Sequence, residues 1–429
     1  MKVKITPFTP NGEIVAPPSK SFAHRLLISA SLKSGKTIIK NIGKSKDVIA
    51  TINCLSSLCA KIEREGNDVI VYGMQKLEKS PTLDCKESGS TLRFLTCVAN
   101  ALGVNPIFKG SLILLSRPNE ILIKELCRHG VNCEDYSFTG KLTSGKFVLD
   151  ASVSSQYVSG LLFALPLLDG DSEIVLNGKI ASEDYIKITL EVLEKSCIKY
   201  EKSGNSIIIK GKQQFNLPDE VTVEGDWSGS AFLFALGVLG GKVSVKGLNL
   251  NSCQGDKKIL DILKSAGAKV YEKDGIITAE KSKLKGIKVD VDGIPDLAPV
   301  ICATCAKAEG ESVISGIERL RIKESDRVKT ILSVLEDAGV KAYEKDGCIV
   351  IIGGEIKGGT YATENDHRIV MMSAVLSAVA TKKSAVLGRV LSEDVSTKST
   401  ILGYEATDKS YPDFWKDYFS LGGRVNVGL

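Results

Sequence analysis

Between Arg321 and Thr330 the chain reads RIKESDRVKT, six charged side chains in ten residues. Apolar residues then follow at Val328, Ile331, Leu332 and Leu335, a spacing that predicts an amphipathic helix beginning at Lys323–Glu324. On that helix Lys323 and Arg327 stand four residues apart and Glu324 and Arg327 three, so two cations and a carboxylate share one face. Such a face can hold a phosphate or carboxylate, the arginine as a fork, while the glutamate carries a proton to or from the bound molecule. It can equally be a solvated ion pair worth roughly a few tenths of a kcal/mol.

Other polar residues stand at the predicted starts of apolar helices: Lys20-Ser21, Gly89-Ser90, Ser154-Ser155-Gln156, Asp296 and Asp366-His367-Arg368. A helix N-terminus presents free N–H groups and the positive end of a dipole, which suits an anion. The same Ser and Asp residues are also ordinary N-caps. Cations are harder to explain as caps, because they oppose the dipole; Lys20, Lys323, Arg327 and Arg368 all lie in or near first turns. Asp296 in IPDLAP reads as a cap or as a general base. His367, one of three histidines, reads as a structural hydrogen-bonder or a catalyst. Arg117 precedes Pro118, which favours an extended loop.

The elements that must position these residues repeat. PPSKSFAHRLLISASLKSG, KESGSTLRFLTCVANALG, SVSSQYVSGLLFALPLLDG, GDWSGSAFLFALGVLGG, GIPDLAPVICATCAKAEG and TENDHRIVMMSAVLSAVA share one phase. Their helix starts, near Ser19, Gly89, Ser155, Ser228, Asp296 and Asp366, lie roughly 70 residues apart. These first helices are apolar nearly all round and should be buried. A second helix follows in most repeats and is amphipathic, as the stripe Ile259, Ile262, Leu263 and Ala266 shows. Hairpins with Asp-Gly turns come next, at KVYEKDGIITAE and KAYEKDGCIVIIG. The repeat therefore reads β-α-β-α-β-β. Three repeats precede VEGDWSGS and three start from it, predicting two similar domains with a boundary near Glu224.

Composition is that of an ordinary globular protein: 429 residues, 43% hydrophobic and 25% charged. A net charge of +5 without a basic run argues against nucleic acid. No apolar stretch is long enough to span a membrane, and the first residues carry no apolar signal region, so a cytoplasmic enzyme is expected. Eleven cysteines scattered through apolar segments fit free thiols in a reducing compartment. Cys302 and Cys305 form a lone C-x-x-C inside an apolar run, read as core against a metal or redox site.

Taken in order, PSKSFAHR, SGSTLR, SRP, SVSSQ, SEDYIKITL, VEGDWS, IPD, RIKESDR, NDHR and DKSYPDFW run the length of the chain. In these blocks the sequence resembles the enolpyruvyl transferases, and among them those that act on shikimate 3-phosphate. The resemblance implies an α/β fold of α+β repeats. It has two similar domains, each of three β-α-β-α-β-β units with buried parallel helices, and an active site in the interdomain cleft. The domains would be residues 20–224, and 1–19 with 225–429, the N-terminal strand joining the C-terminal domain.

The implied reaction moves the enolpyruvyl (1-carboxyvinyl) group of phosphoenolpyruvate to the 5-hydroxyl of shikimate 3-phosphate by addition and elimination, releasing phosphate, in aromatic amino acid biosynthesis. Carried over by motif, Lys20, Ser21, Arg25, Ser154, Ser155, Gln156, Ser182, Asp296 and Lys323 would hold shikimate 3-phosphate. Lys20, Gly89, Arg117, Gln156, Arg327, Arg368 and Lys409 would hold phosphoenolpyruvate. Asp296, Glu324 and Lys20 would be catalytic, and Tyr185 would line the shikimate pocket. The resemblance implies no metal or organic cofactor, no nucleic acid or membrane partner, and a monomer. Arg319 and Glu87 stand where many members carry Asn, and Pro17-Pro18 replaces a Pro-Gly. The sister enzymes acting on UDP-N-acetylglucosamine typically have Asn after the first lysine and a Cys in the loop before Arg-Pro. Here Ser21 follows Lys20 and GSLILLSRP has no Cys. A non-catalytic anion-binding or RNA-end-processing repeat protein is the alternative from another class.

Overall fold

A computed structural model describes residues 1–428 except 75, 151, 179, 181 and 382–397. The chain divides into two compact units. The first holds Pro18–Glu224 with Cys253–Gly255; the second holds Met1–Pro17, Gly225–Ser252 and Asp256–Leu429. The first crossing thus falls at Pro17–Pro18 rather than after residue 19. Ser19 belongs to the first unit through its backbone N–H, which donates to the Glu224 carbonyl at 2.8 Å, and its hydroxyl, which donates to Gln254 Oε1 at 3.2 Å.

Helices of the first unit are α1 (Lys20–Leu32), α2 (Lys46–Ser57), α3 (Gly89–Leu102), α4 (Leu112–Leu115), α5 (Glu120–Arg128), α6 (Ser155–Ala164) and α7 (Glu183–Lys195). Those of the second are α8 (Trp227–Gly240), α9 (Ile259–Ser265), α10 (Ala298–Cys305), α11 (Arg327–Asp337), α12 (His367–Ala378) and α13 (Phe414–Ser420). Alternating apolar and polar stretches build six four-stranded sheets among the described residues.

The repeat from Lys146 shows the plan. Strands Lys146–Asp150 and Ser172–Asn177 flank α6 and pair in parallel. After α7, the hairpin Tyr200–Ser203 and Ser206–Ile209 adds antiparallel, giving the spatial order first, second, fourth, third. Elsewhere the repeats borrow strands. Glu220–Thr222 runs parallel to Lys36–Lys40, and Asn11–Val15 parallel to Lys242–Lys246. Lys2–Thr6 sits between Ser399–Leu402 and Arg424–Gly428, antiparallel to both. The repeats therefore do not follow one another strictly in sequence; distant strands complete three of the sheets. Asp274 and Gly275 (φ 52° and 76°), like Asp346 and Gly347 (φ 51° and 68°), take the left-handed conformations that a tight hairpin turn requires.

The first helix of each repeat is buried, as its composition demands. In α8 every residue from Trp227 to Leu239 is shielded from water. The second helices cover them with one face only: α11 buries Val328, Ile331, Val334 and Leu335 and leaves Lys329 and Glu336 in water. Cys302 and Cys305 lie in the core on α10, and all eleven thiols are unpaired.

Close helix approach fixes one part of the site. A Cβ at Gly160 of α6 would stand 2.6 Å from the Arg93 carbonyl oxygen and 2.8 Å from Cys97 Sγ of α3. Glycine is what lets α3 and α6 touch backbone to side chain. Gly160→Val should lower stability by about 1–3 kcal/mol, the usual range for an overpacked core. Chemical denaturation measures it, and unchanged stability would mean that the helices separate freely.

Candidate active site

The charged stretch of the second unit is not the helix its spacing predicts. Glu318–Ile322 forms a 3-10 turn, Lys323 is extended (φ −85°, ψ −152°), and α11 begins only at Arg327. Asp326 takes the N-cap, its carboxylate accepting from Lys329 N at 3.1 Å. Asp diverts the backbone from helix by offering its own oxygen to it, as Asp326 does here, while the Ser325 hydroxyl donates to Asp366 Oδ2 at 3.2 Å. Glu324 still meets Arg327, and Lys323 lies beside Asp296, but through a bend and not a helix face.

Arg327 is buried, its side chain 1% exposed. Its Nε donates to Asp366 Oδ2 at 2.8 Å, Nη1 to Asp296 Oδ1 at 2.8 Å, and Nη2 to Glu324 Oε2 at 2.7 Å and Asp366 Oδ1 at 3.4 Å. These bonds occupy four of the five N–H groups of a guanidinium, leaving one on Nη1. Burial opposes the Arg327 charge, but Asp366, Glu324 and Asp296 outweigh it and keep the group firmly protonated.

Asp296 lies in the 3-10 turn Pro295–Leu297 ahead of α10 and makes no cap. Its carboxylate meets Arg327, Arg368 Nη2 at 3.4 Å and Lys323 Nζ at 3.8 Å. Burial works against its charge, yet Arg368, Lys323 and Arg327 together hold it well below the usual carboxylate range. Lys323 is itself lowered, first by burial, with Asp296 pulling the other way. Asp366 caps α12, accepting from Arg368 N at 2.9 Å. His367 is buried in the same turn with Nδ1 3.9 Å from Asp366 Oδ1. Lys409 Nζ donates to the Asn365 carbonyl at 2.7 Å, beside this loop. Arg319 Nε donates to Asp292 Oδ1 at 3.1 Å.

A second cluster is built by the first unit. Lys20 opens α1 and pairs with Asp47 Oδ2 at 2.9 Å. Arg25, one turn on from Ser21, is buried and bonds only neutral oxygens. These are Thr189 Oγ1 at 2.7 Å, the Ser21 carbonyl at 2.8 Å, the Tyr185 carbonyl at 3.0 Å and Ser159 Oγ at 3.3 Å. Burial without a carboxylate pushes the Arg25 guanidinium down to about 10. Ser182 stands at the start of α7 in a left-handed conformation (φ 50°) that serine rarely adopts, and it does not cap the helix. Ser154 does cap, accepting from Gln156 N at 3.3 Å, with Ser155 buried at the first position of α6.

Around Gly89 the first unit forms a small cationic cradle. Ser88, not Gly89, caps α3, accepting from Thr91 N at 3.3 Å. A Cβ on Gly89 would lie 3.3 Å from Arg117 Nη1, 3.5 Å from Arg93 Nη1 and 3.6 Å from Gln156 Oε1. Gln156 is pinned at both ends: Oε1 accepts from Arg93 Nη1 at 2.6 Å, and Nε2 donates to Ser90 Oγ at 3.0 Å. Only glycine leaves an anion room to approach the helix start there.

Residues 7–418 match the EPSP synthase family, 3-phosphoshikimate 1-carboxyvinyltransferase. The chain is 39% identical to the 3-phosphoshikimate 1-carboxyvinyltransferase of Clostridium kluyveri over 99% of its own length and 98% of the relative's. It is 38% identical to the enzyme of that name from Brachyspira hyodysenteriae, over 99% and 100%. The chain belongs to the EPSP synthase family. A solved EPSP synthase from Acinetobacter baumannii shares the fold, with a TM-score of 0.81 at 22% identity, covering 99% of this chain and 100% of that one. EPSP synthases transfer the enolpyruvyl group of phosphoenolpyruvate to shikimate 3-phosphate in aromatic biosynthesis, and that is the activity of this chain.

Two residues that the clusters depend on escaped the sequence pattern. Arg93 stands one turn after Gly89, a spacing that could have revealed it. Asp47 sits in the first turn of α2, where an acidic residue looks like simple dipole compensation.

Replacing Arg327 by Met removes the cation that Asp296, Glu324 and Asp366 share and should cost about 3–5 kcal/mol of stability. Arg327→Lys keeps the charge but cannot reach all three, and should recover only part of the loss in chemical denaturation. Because the folded Asp296 carboxylate is depressed, its stabilisation is present above the unfolded value of about 3.9 and is lost as pH falls below it. Asp296→Asn should therefore cost more at pH 7 than at about pH 3.

Proposed function

We propose that the two clusters divide the family's reaction as follows, the two units being the enzyme's two domains. Shikimate 3-phosphate is held by Lys20, Ser21, Arg25, Ser154, Ser155, Gln156 and Ser182 of the first unit, and by Asp296 and Lys323 of the second. Phosphoenolpyruvate is held by Lys20, Gly89, Arg117 and Gln156, and by Arg327, Arg368 and Lys409. Supporting this division, Arg25 is a buried cation bonded to neutral oxygens, which favours an incoming anion. The Gly89 cradle gathers two guanidiniums and an amide. The remaining Nη1–H of Arg327 is a donor for the carboxylate or phosphate of phosphoenolpyruvate.

The observation that carries the chemistry is Asp296, ionised and set among Arg327, Arg368 and Lys323. It takes the proton of the 5-hydroxyl as that oxygen bonds to C2 of phosphoenolpyruvate. Glu324 and Lys20 serve the proton that C3 gains. In the second step C3 gives a proton back, the C2–O bond to phosphate breaks, and the double bond re-forms. The surrounding cations stabilise the charge that gathers on phosphate. Eleven free thiols favour the cytoplasm.

Phosphate release should appear with phosphoenolpyruvate plus shikimate 3-phosphate and not with phosphoenolpyruvate plus UDP-N-acetylglucosamine. Asp296→Asn and Glu324→Gln should each lower kcat by about 10²–10⁴-fold, the usual worth of a general acid or base. Full activity in either variant would remove that residue from the chemistry.

A further inference from the structure

The start of α1 is built unlike other helix starts near the two clusters. Ser88 caps α3, Ser154 caps α6 and Asp366 caps α12, each side-chain oxygen accepting a backbone N–H of the first turn. Ser19 stands at the same position ahead of α1, buried, yet its side chain makes no cap. Backbone shape is not the cause: Ser19 (φ −67°, ψ 110°) is extended like Ser88 (φ −79°, ψ 103°). What differs is a side chain from far along the sequence. Gln254 is buried, and its Oε1 accepts from the Ser19 hydroxyl at 3.2 Å. Its Nε2 donates to Glu224 Oε1 at 2.6 Å, so that carboxylate keeps the amide oxygen turned toward Ser19. The Glu224 carbonyl holds the same serine, accepting from Ser19 N at 2.8 Å. Gln254 is anchored on α7 through both neighbours. The Cys253 thiol donates to Glu191 Oε2 at 3.0 Å, and Gly255 lies so close that a Cβ there would collide with the Asp184 carboxylate. All of these residues belong to the first unit.

We propose that Gln254 is a positioning residue for shikimate 3-phosphate: it draws the Ser19 hydroxyl away from the start of α1 and leaves the Ser21 and Phe22 N–H groups to an anionic oxygen of the substrate. The proposal rests on Lys20 and Ser21 holding that substrate. A capping serine satisfies the second or third N–H of its helix with its own oxygen. A ligand oxygen arriving at a capped start must displace that hydroxyl, and it gains only the difference between two hydrogen bonds. With the hydroxyl committed to Gln254, the ligand gains the whole bond, a charge-assisted one at the positive end of a helix. Gln254 acts through Ser19 and not by its own contact.

The test is the dissociation constant of shikimate 3-phosphate, measured by titration calorimetry on the full chain. The proteins are the wild type, Ser19→Ala, Gln254→Met, the two substitutions combined, and Lys20→Met. Gln254→Met keeps the bulk and removes the acceptor, so the freed hydroxyl turns to cap α1. Binding should weaken about 10–100-fold, the worth of a hydrogen bond to a charged group. Ser19→Ala has no hydroxyl to turn and should bind within about threefold of wild type, a small fraction of that bond. The combined variant should return to the same level, because no cap can form. A glutamine that only packs would not give this rescue: its loss would weaken binding equally with and without the hydroxyl. Gln254→Asn, too short to reach Ser19, repeats the contrast should Gln254→Met not fold. The proposal is overturned if Gln254→Met binds like wild type, or if the combined variant binds as weakly as Gln254→Met. Lys20→Met separates the two readings. Lost binding there beside an unaltered Gln254→Met sinks only the role of Gln254, whereas wild-type binding by Lys20→Met removes the site and this inference with it.

Discussion

One buried guanidinium organises the second unit's chemistry. Arg327 is nearly free of water and must be neutralised from within, because an unpaired cation at that depth would cost several kcal/mol. The fold answers with carboxylates from three separate places: the turn before α10, the bend before α11 and the cap of α12. Satisfying Arg327 therefore fixes Asp296, Glu324 and Asp366 relative to one another. Two of the groups proposed to move protons, Asp296 and Glu324, are held by a residue that cannot itself titrate, since arginine stays charged at any working pH. A lysine in its place would offer a point charge and no fixed fork.

Arg25 of the first unit follows the opposite logic. It is equally buried, yet its partners are two hydroxyls and two backbone carbonyls. Neutral oxygens satisfy its donors without cancelling its charge. Arg327 is compensated before any ligand arrives; Arg25 retains a positive field for one. The same residue type thus serves as internal scaffold in one unit and as the proposed anion receptor in the other, and the difference lies in its neighbours.

Much of the fold was legible because six helices apolar on all faces alternate with amphipathic ones at a constant spacing, and burial follows directly from that pattern. Asp-Gly turns announced their hairpins for an equally local reason. Legibility failed where local and tertiary demands compete. Charge spacing around Lys323 suggested a helix, but Asp326 caps three residues later and the carboxylates converge through a bend. Capping, a fair reading of Asp296, gave way to three cations that no sequence window contains. Helix-start chemistry was readable at Gly89 and Gln156, while Arg93, which orients the glutamine, was hidden by its position inside an apolar helix.

Strand borrowing has a consequence for how the protein is made. Strands Lys2–Thr6 and Asn11–Val15 are synthesised long before their partners, which begin at Lys242 and extend to Arg424–Gly428. The first unit cannot finish its Lys36–Lys40 sheet until Glu220–Thr222 has been synthesised. A vectorially growing chain must therefore carry unpaired strand edges while the intervening residues are made, and the sheet of Lys2–Thr6 closes only after Arg424–Gly428 has been synthesised. Loop-closure entropy makes such distant pairing slow, and exposed edges invite pairing with the wrong chain. The second unit thus assembles late relative to the synthesis of its earliest strands, which must be kept from other partners while they wait.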